Sequence, residues 1–484
     1  MLYYTSYKTH NKDTKGIRKK FDNNIYTFDI ETTSYLVLDG KVYNNLDYLK
    51  FSDEEKDNSI KCACMYIWMF GINDIVYYGR TWSEFIDFLN LLERNVSELK
   101  YVYVHNLSFE FQFLKSHLHF ESVSARKSRK VMSAKLRDYN IEFRCSYMLS
   151  NCALEYIPKV FNLSVEKKVG DLDYNKLRHS RTLLTDKEMG YCEYDCLVLY
   201  EYIKKEKEEY EDIKHIPLTS TGKVRRELKE LVKKDFRYKR LTYKAINTDP
   251  HIYNMLMDAF FGGYTHASYI WSDTILKRVN SYDEVSAYPY VLVTHKFPST
   301  EFRKSTIKRL EDMSRKCAYL LRVKFTNLKC KYYNNFISMS KCKNIKKGKY
   351  DNGRVIEAEE LEITLTDVDF RFILDTYKCD YEIHESYWSI YNYLPKTFIN
   401  FVLDKYIAKT KYKGVEGMEV EYSKEKNKFN SLYGMSVTNM IKDNVIYKDE
   451  LEEWFEEELT NEEIVDKLDI SRSEERFSRN AETD

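Results

Sequence analysis

Two short runs rich in apolar and aromatic residues, 25–31 (Ile-Tyr-Thr-Phe-Asp-Ile-Glu) and 101–105 (Tyr-Val-Tyr-Val-His), read as β-strands. The clearest helix start is Thr185-Asp186-Lys187-Glu188, a capping box in which threonine and glutamate side chains satisfy each other's backbone N–H groups. The helix it opens is expected to run to about Glu208. Strands and helices alternating through about residue 215 indicate an α/β domain. A second strand–turn–helix block is expected over 279–295, and Lys426 to Gly434 has the spacing of a helix ending at a glycine. Near the end, Leu451, Phe455 and Leu459 make a narrow helical stripe, and Thr460-Asn461-Glu462-Glu463 caps a second short helix. The stretch 471–484 has the composition of a disordered segment.

A chain of 484 residues exceeds one ordinary core, so two to four domains are expected. Only 6 Pro and 14 Gly are present and there is no low-complexity stretch, so the connections between domains must be short and packed. No apolar run reaches the length of a membrane span and no signal-peptide pattern opens the chain, which argues for a protein with no membrane partner. The ten cysteines are scattered without paired CxxC spacing and read as reduced core residues of a cytosolic protein, neither a disulfide frame nor a zinc site. The net charge of +1 hides an asymmetry. Residues 441–484 carry 6 basic against 16 acidic side chains, leaving 71 basic against 60 acidic in the other 440. That basic, tyrosine-rich body suits phosphate tracking and base stacking. Lys341, Lys343, Lys346, Lys347 and Lys349 crowd one short loop, which is either a phosphate-contacting surface or simply solvated.

Candidate chemistry begins with Asp29 and Glu31, two apart on a strand and so on one face. Paired carboxylates can share two divalent metals about 3.5–4 Å apart and hydrolyse phosphodiesters. A solvated strand face is the alternative for this pair taken alone. In His105-Asn106-Leu107-Ser108-Phe109-Glu110 a strand ends and a helix begins, with Asn106 and Glu110 one turn apart. Tyr191 and Asp195 share a face of the capped helix at i, i+4. His105 and Phe109 offer flat surfaces for the bases of a frayed strand. On the later helical segment Lys426 is a point charge suited to a triphosphate, Asn430 lies one turn on, and Tyr433 follows on the same face. Gly434 permits close backbone approach there. Thr221-Gly222-Lys223 lacks the upstream glycine spacing of a P-loop and reads as a DNA-contacting linker.

The order DxE, NxxFE, YxxxD over residues 29–195 resembles the three exonuclease motifs of proofreading polymerases. Lys426-Asn427-Lys428-Phe429-Asn430-Ser431-Leu432-Tyr433-Gly434 resembles motif B of the family B DNA polymerases, in particular the protein-primed branch of bacteriophages and linear plasmids. Asp283-Glu284-Val285-Ser286-Ala287-Tyr288-Pro289 resembles motif A, with Ala287 in place of the usual leucine. Phe260-Phe261-Gly262-Gly263-Tyr264 is similar to the YxGG segment that coordinates the two sites in protein-primed members, with Phe260 for the tyrosine. Ile407-Ala408-Lys409-Thr410 resembles a second triphosphate lysine site, with Lys405 and Lys411 close enough to compete.

The resemblance implies an α/β multi-domain fold: a ribonuclease-H-like 3′–5′ exonuclease domain, then an incomplete palm-and-fingers polymerase domain. Its expected divisions are 1–215 for the exonuclease domain and 216–300 for a linker and the first part of the palm. An insertion contacting the priming protein would span 301–395, fingers 396–440, and an acidic tail with a truncated palm 441–484. Asp29, Glu31, Glu110 and Asp195 would hold metal and Tyr191 would orient the attacking water. Glu110 stands where the best-known members have Asp, and Lys168 is a candidate for the catalytic lysine although Val169 separates it from Gly170-Asp171. Asp283 would hold the polymerase metals, Tyr288 would exclude a ribose 2′-hydroxyl, and Lys409, Lys426, Asn430 and Tyr433 would bind the nucleotide. His105, Asn106, Phe109, Phe260, Gly262, Gly263 and Gly434 would contact DNA.

The implied activity is templated DNA synthesis with proofreading, using two Mg²⁺ or Mn²⁺ ions per site. Its partners would be template and primer DNA, dNTPs and a terminal priming protein. The expected location is the cytoplasm, that of a bacterial host if the genome is viral. One family element is missing: no Tyr-x-Asp-Thr-Asp-Ser strand follows Gly434, so the second palm carboxylate is expected from a carboxy-terminal fragment in trans. The alternative is a chain active only as a 3′–5′ single-strand exonuclease.

Overall fold

The computed structural model describes residues 1–7, 21–126, 130–165, 172–233, 249–265, 273–332 and 335–436, with Asp235, Phe236, Tyr238, Lys239 and Trp271 besides. Lys168 and the expected tail elements over 441–484 lie outside the described residues. The chain divides into two compact units, Met1–Arg225 together with the segment from Ala408, and Arg226–Ile407.

The first unit is built on a nine-stranded sheet: β1 (Leu2–Tyr3), β2 (Tyr26–Leu38), β3 (Lys41–Asn44), β4 (Ile60–Ile72), β5 (Ile75–Gly79), β6 (Lys100–Val104), β7 (Phe120–Ala125), β8 (Val131–Leu136) and β9 (Ile141–Cys145). The order is β1-β5-β4-β2-β6-β9-β8-β7, with β3 also on β2. Strands β5, β4 and β2 pair antiparallel, whereas β6 and β9 continue parallel to β2. That five-strand centre has the ribonuclease-H-like arrangement. The strand expected over 25–31 continues to Leu38 because it folds back on β3 through Asp39-Gly40. Both turn residues have positive φ (51° and 74°), as a two-residue hairpin of this twist requires.

Alternation along β2 divides its chemistry. Tyr26, Phe28 and Ile30 enter a core with Phe85, Phe88, Leu89 and Leu92 of helix α1 (Trp82–Asn95). Thr27, Asp29 and Glu31 have the opposite parity and face the other way. Helix α2 (Leu107–Leu114) follows β6. Helix α3 (Asp186–Tyr210) covers the second sheet face, burying Val198, Leu199, Tyr202 and Ile203 against Tyr101 and Tyr103. Its Cys192 and Cys196 pack with Tyr66, Ile67 and Met69. The predicted capping box is formed: the Thr185 side chain accepts from the Glu188 N–H, and Glu188 accepts from that of Thr185. Helix α4 (Ser220–Val232) occupies the segment read as a linker. Lys223 there is buried and donates to Glu206 at 2.5 Å, so it supports α3 and is not available to DNA.

The second unit contains α5 (Pro250–Ala259), α6 (Ala287–Thr294) and a seven-stranded antiparallel sheet. Its strands are β10 (Lys296–Pro298), β11 (Arg303–Ser305), β12 (Cys317–Cys330), β13 (Cys342–Lys346), β14 (Lys349–Asp351), β15 (Arg354–Thr366) and β16 (Tyr377–Tyr393), in the order β10-β16-β12-β15-β13. β11 joins β16, and β14 joins β15. Helix α7 (Asp367–Thr376) closes one face, placing Phe370 and Ile373 among Leu321, Val323, Phe325, Leu361 and Ile363.

Two expectations for this unit need correcting. The lysine-rich stretch 341–349 is not a loop but largely edge strand. Four of its five lysines are met by acids, while Lys341 donates to the Met257 carbonyl. Lys346 and Lys324 share Glu360 (3.2 and 3.0 Å), and Lys349 and Lys329 share Glu357 (3.1 and 2.9 Å). Lys347 pairs with Glu359 and Lys343 with Asp258. The strand expected ahead of motif A is also absent, since 279–284 has no regular structure and α6 starts after Ser286 at φ 60°. A strand needs a neighbour to take its N–H and C=O groups, and none of the described strands pairs with that stretch. The ten cysteines are free, but only Cys145, Cys192 and Cys196 are buried; the other seven are half-buried. No helix of the described residues is long and apolar enough to cross a membrane.

Candidate active site

Three elements of the first unit converge on one cleft. β2 supplies Asp29 and Glu31, α3 supplies Tyr191 and Asp195, and α2 supplies Phe109 and Glu110. Oxygens of Asp29, Glu31 and Asp195 all lie within 4.8 Å of one another, and among the described residues this is the one group of three or more potential metal ligands. The cleft holds about 470 Å³ and is also lined by Thr32, Ser34, Tyr174 and Asn175. Glu31, Glu110 and Asp195 are buried, whereas the Phe109 ring is 44% exposed, presenting a flat apolar surface at the cleft.

Local sequence explains each placement. The parity of β2 carries its two carboxylates away from the α1 core. The i, i+4 spacing stacks Tyr191 and Asp195 on the sheet side of α3, where both are buried. The turn between β6 and α2 is made by Asn106 in the left-handed region (φ 65°, ψ 50°), a conformation that asparagine tolerates better than most residues. Asn106 therefore precedes the helix, and the one-turn spacing that paired it with Glu110 does not apply. His105 is fixed by Ser146, whose Oγ lies 3.0 Å from Nδ1, and by an edge contact with Tyr147. It is not among the cleft-lining residues.

The electrostatics are those of buried carboxylates crowded together. Burial, then the neighbouring Glu31 carboxylate, push the Glu110 carboxyl well above its usual range. Glu110 Oε2 is buried with no hydrogen-bond partner. Burial also raises the Tyr191 hydroxyl, whose oxygen is 3.0 Å from that of Tyr174, so the phenol stays protonated. An all-oxygen carboxylate set with an orphaned buried oxygen fits hard divalent cations such as Mg²⁺ or Mn²⁺.

The motif B segment is helical, within α9 (Glu419–Ser436), which follows α8 (Lys396–Lys411). Phe429 and Leu432 are buried, while Lys426 and Asn430 are exposed and Tyr433 is half-buried. Lys409 Nζ sits 4.7 Å from the centroid of the Phe429 ring, next to this helix. Its competitor Lys405 is engaged by Glu227, and Lys411 lies over Tyr412. A Cβ at Gly434 would meet the Thr221 methyl at 3.2 Å, so the close approach is to α4. In the second unit Asp283 is exposed and, among the described residues, belongs to no such ligand group. Tyr288 is 48% exposed, and a Cβ on Gly263 would meet its hydroxyl at 3.2 Å, which brings the Gly-Gly segment to motif A. Phe260 caps the end of α5, and Gly262 faces open space.

The family model of DNA polymerase type B, organellar and viral, matches residues 168–483, well over half of the chain. The chain belongs to this family. No curated protein matches it. Among solved structures it is similar to Phi29 DNA polymerase in a ternary complex with primer-template DNA and incoming nucleotide, at 16% identity and a TM-score of 0.53 over 86% of this chain and 68% of that one. An orthorhombic crystal form of Phi29 DNA polymerase gives 15% and 0.56 over 85% and 68%. Its complex with single-stranded DNA gives 16% and 0.56 over 85% and 67%. At these identities the likeness speaks for the fold.

In this type B polymerase the cleft contains residues that sequence reasoning did not single out. Tyr174 and Asn175 form one wall, and Tyr174 touches the hydroxyl of Tyr191. They sit in a stretch without regular structure and outside the three motifs, so periodicity offers no signal for them.

Proposed function

We propose that this type B DNA polymerase trims 3′ ends in its first unit and extends DNA with residues of motifs A and B. The observation that carries the trimming activity is the convergence of Asp29, Glu31 and Asp195 beside Glu110 and Tyr191 in one cleft. Asp29, Glu31 and Asp195, with Glu110 beside them, would hold two divalent cations, which when bound lower the pKa of an attacking water and stabilise the leaving oxygen. Tyr191, protonated and met by Tyr174, donates toward the water's lone pair and orients it at the scissile phosphorus. Phe109 stacks on a terminal base, while His105 and Asn106 border the path of the frayed strand. Changing both Asp29 and Glu31 to Ala should lower metal-dependent hydrolysis of single-stranded DNA from its 3′ end by several orders of magnitude. Wild-type rates in that double variant, with contaminating nuclease excluded, would remove the assignment.

For synthesis, Asp283 would hold the polymerase metals and Tyr288 would lie beneath the sugar. Lys409, Lys426, Asn430 and Tyr433 would receive the nucleotide. Phe260, Gly262, Gly263 and Gly434 would approach the DNA backbone, and residues 301–395 would contact a priming protein.

A second reading is favoured by Asp283 itself, which stands exposed on an irregular segment and, among the described residues, outside any group of three ligands. No Tyr-x-Asp-Thr-Asp-Ser block occurs in residues 435–484. On this reading residues 1–484 alone act only as a 3′–5′ exonuclease, and the second palm carboxylate comes from outside them. The expected result is trimming without nucleotide incorporation, with synthesis restored by a fragment carrying the missing motif. Templated extension by residues 1–484 alone would eliminate it.

A further inference from the structure

Arg178 is one of two arginines buried among the described residues, at 4% exposure, and it lies outside all the motifs. Its guanidinium works in two directions. Nε and Nη2 donate to Glu188 Oε1 at 3.2 and 2.6 Å. Nη1 donates to the backbone carbonyls of Asp173 and Lys176 at 2.6 and 3.3 Å. Glu188 is divided in the same way: while Oε1 takes Arg178, Oε2 accepts the Thr185 N–H at 2.8 Å and the Thr185 hydroxyl at 3.1 Å. A capping-box glutamate ordinarily serves only its own helix end and sits at the surface. Here it is buried and serves as the anchor for a second segment.

The anchored segment is the wall of the cleft. The carbonyls of Asp173 and Lys176 flank Tyr174 and Asn175, which line the cleft, and Tyr174 meets the Tyr191 hydroxyl at 3.0 Å. Tyr191 lies three residues after Glu188 on the same helix. Hydrogen bonds from Glu188 to Arg178, from Arg178 to the 173–176 backbone and between Tyr174 and Tyr191 therefore close a loop through the backbone of the wall and of α3. The wall is further tied to β2 by the Arg178 N–H, which lies 3.4 Å from Thr33 Oγ1. A lysine cannot replace this arginine, because one ammonium cannot span a carboxylate oxygen and two carbonyls in fixed directions as a planar fork does.

We propose that Arg178 is a positioning residue of the trimming site: clamped to Glu188, it sets the 173–176 wall so that Tyr174 holds the Tyr191 hydroxyl in place. The inference rests on the exonuclease reading of the cleft, and its test separates the two. Arg178→Lys keeps the charge beside buried Glu188 and so preserves the fold, whereas a neutral residue would leave that carboxylate buried and alone. In the full chain, R178K should slow 3′–5′ hydrolysis of single-stranded DNA about tenfold or more, the scale of lost outer-shell support, chiefly in kcat. Tyr174→Phe should slow it similarly, and the double variant R178K/Y174F should be no slower than the worse single variant, because both break one path. Hydrogen exchange over 172–178 should quicken in R178K while the core of α3 keeps its protection. Unchanged exchange in that segment, or effects of R178K and Y174F on kcat that multiply, would overturn the proposal. If the wild-type chain fails to hydrolyse DNA, the exonuclease reading falls, and the exchange measurement still decides whether Arg178 holds the wall.

Discussion

Glu110 sits in an environment far from that of an ordinary glutamate. Its carboxyl is enclosed, one oxygen has no hydrogen-bond partner, and Glu31 stands nearby, so the acid form is favoured in the folded chain. A folded-state pKa raised above the ordinary 4.5 makes folding less favourable as pH rises past that value, because the unfolded chain releases a proton that the folded one keeps. In chelator, Glu110→Gln should therefore melt higher than wild type at pH 7, by roughly 2–4 °C for each kcal/mol relieved in a domain of this size. The two should converge as the pH falls well below 4.5, where the glutamate is largely protonated in both states. Thermal melts at the two pH values check this, and an equal difference at both would remove burial as the cause. With metal present, the same variant should lose stabilisation and trimming rate together, since an amide is a poorer ligand than a carboxylate.

Among elements, the crossing of α3 over β2 and β4 decides whether the site exists. Gly71 on β4 lets the layers approach: a Cβ there would stand 2.2 Å from Thr27 Oγ1 and 3.9 Å from Cys196 Cβ. Thr27 is two residues before Asp29 on the same face of β2, and Cys196 adjoins Asp195 on α3. Gly71→Ala cannot be relieved by rotating one flexible side-chain end, because Thr27 is buried and β-branched. Overpacking of this kind costs about 1–3 kcal/mol, which denaturant unfolding would register as a lower midpoint. The displacement should also spread Asp29 from Asp195, so trimming should fall further than stability alone explains, and metal titration should require higher concentrations. A variant with wild-type metal dependence and unchanged stability would show that the crossing has slack.

At the scale of the whole molecule, the cleft draws its carboxylates from β2 and α3, whereas the antiparallel sheet of the second unit has a core of its own around Phe325, Leu361 and Phe370. Deleting about 303–390 removes β11 to β15 and most of β16 but none of the residues proposed for trimming. Initiation on a priming protein should then be lost while trimming of single strands persists, as a paired assay of protein-primed initiation and oligonucleotide degradation would show. Persistent initiation would detach the sheet from priming. The paired charges on β12, β13, β14 and β15 bear on the same question. Lysines already matched by Glu357, Glu359 and Glu360 attract a DNA backbone less than their number suggests, and exposed pairs of this kind are weak and screened by salt.

What the sequence determined by itself was local and periodic. The two-residue spacing of Asp29 and Glu31, the four-residue spacing of Tyr191 and Asp195, and the Thr185–Glu188 cap follow from the geometry of single strands and helices, and the structure contains each of them. The same is true of the helical run carrying Lys426, Asn430 and Tyr433. What only the tertiary structure decided was non-local. Thr221-Gly222-Lys223 reads as a DNA-contacting linker, but Lys223 is buried with Glu206, and the lysines of 341–349 lie largely on edge strands because that stretch pairs with β15. The stretch 279–284 stayed irregular for want of a paired strand. Tyr174 and Arg178 carry no motif, since their place in the cleft depends on a bond between an irregular segment and the Glu188 of a helix, which no periodicity signals. Local rules act through the backbone of one element, whereas burial, pairing and anchoring depend on what another element brings alongside.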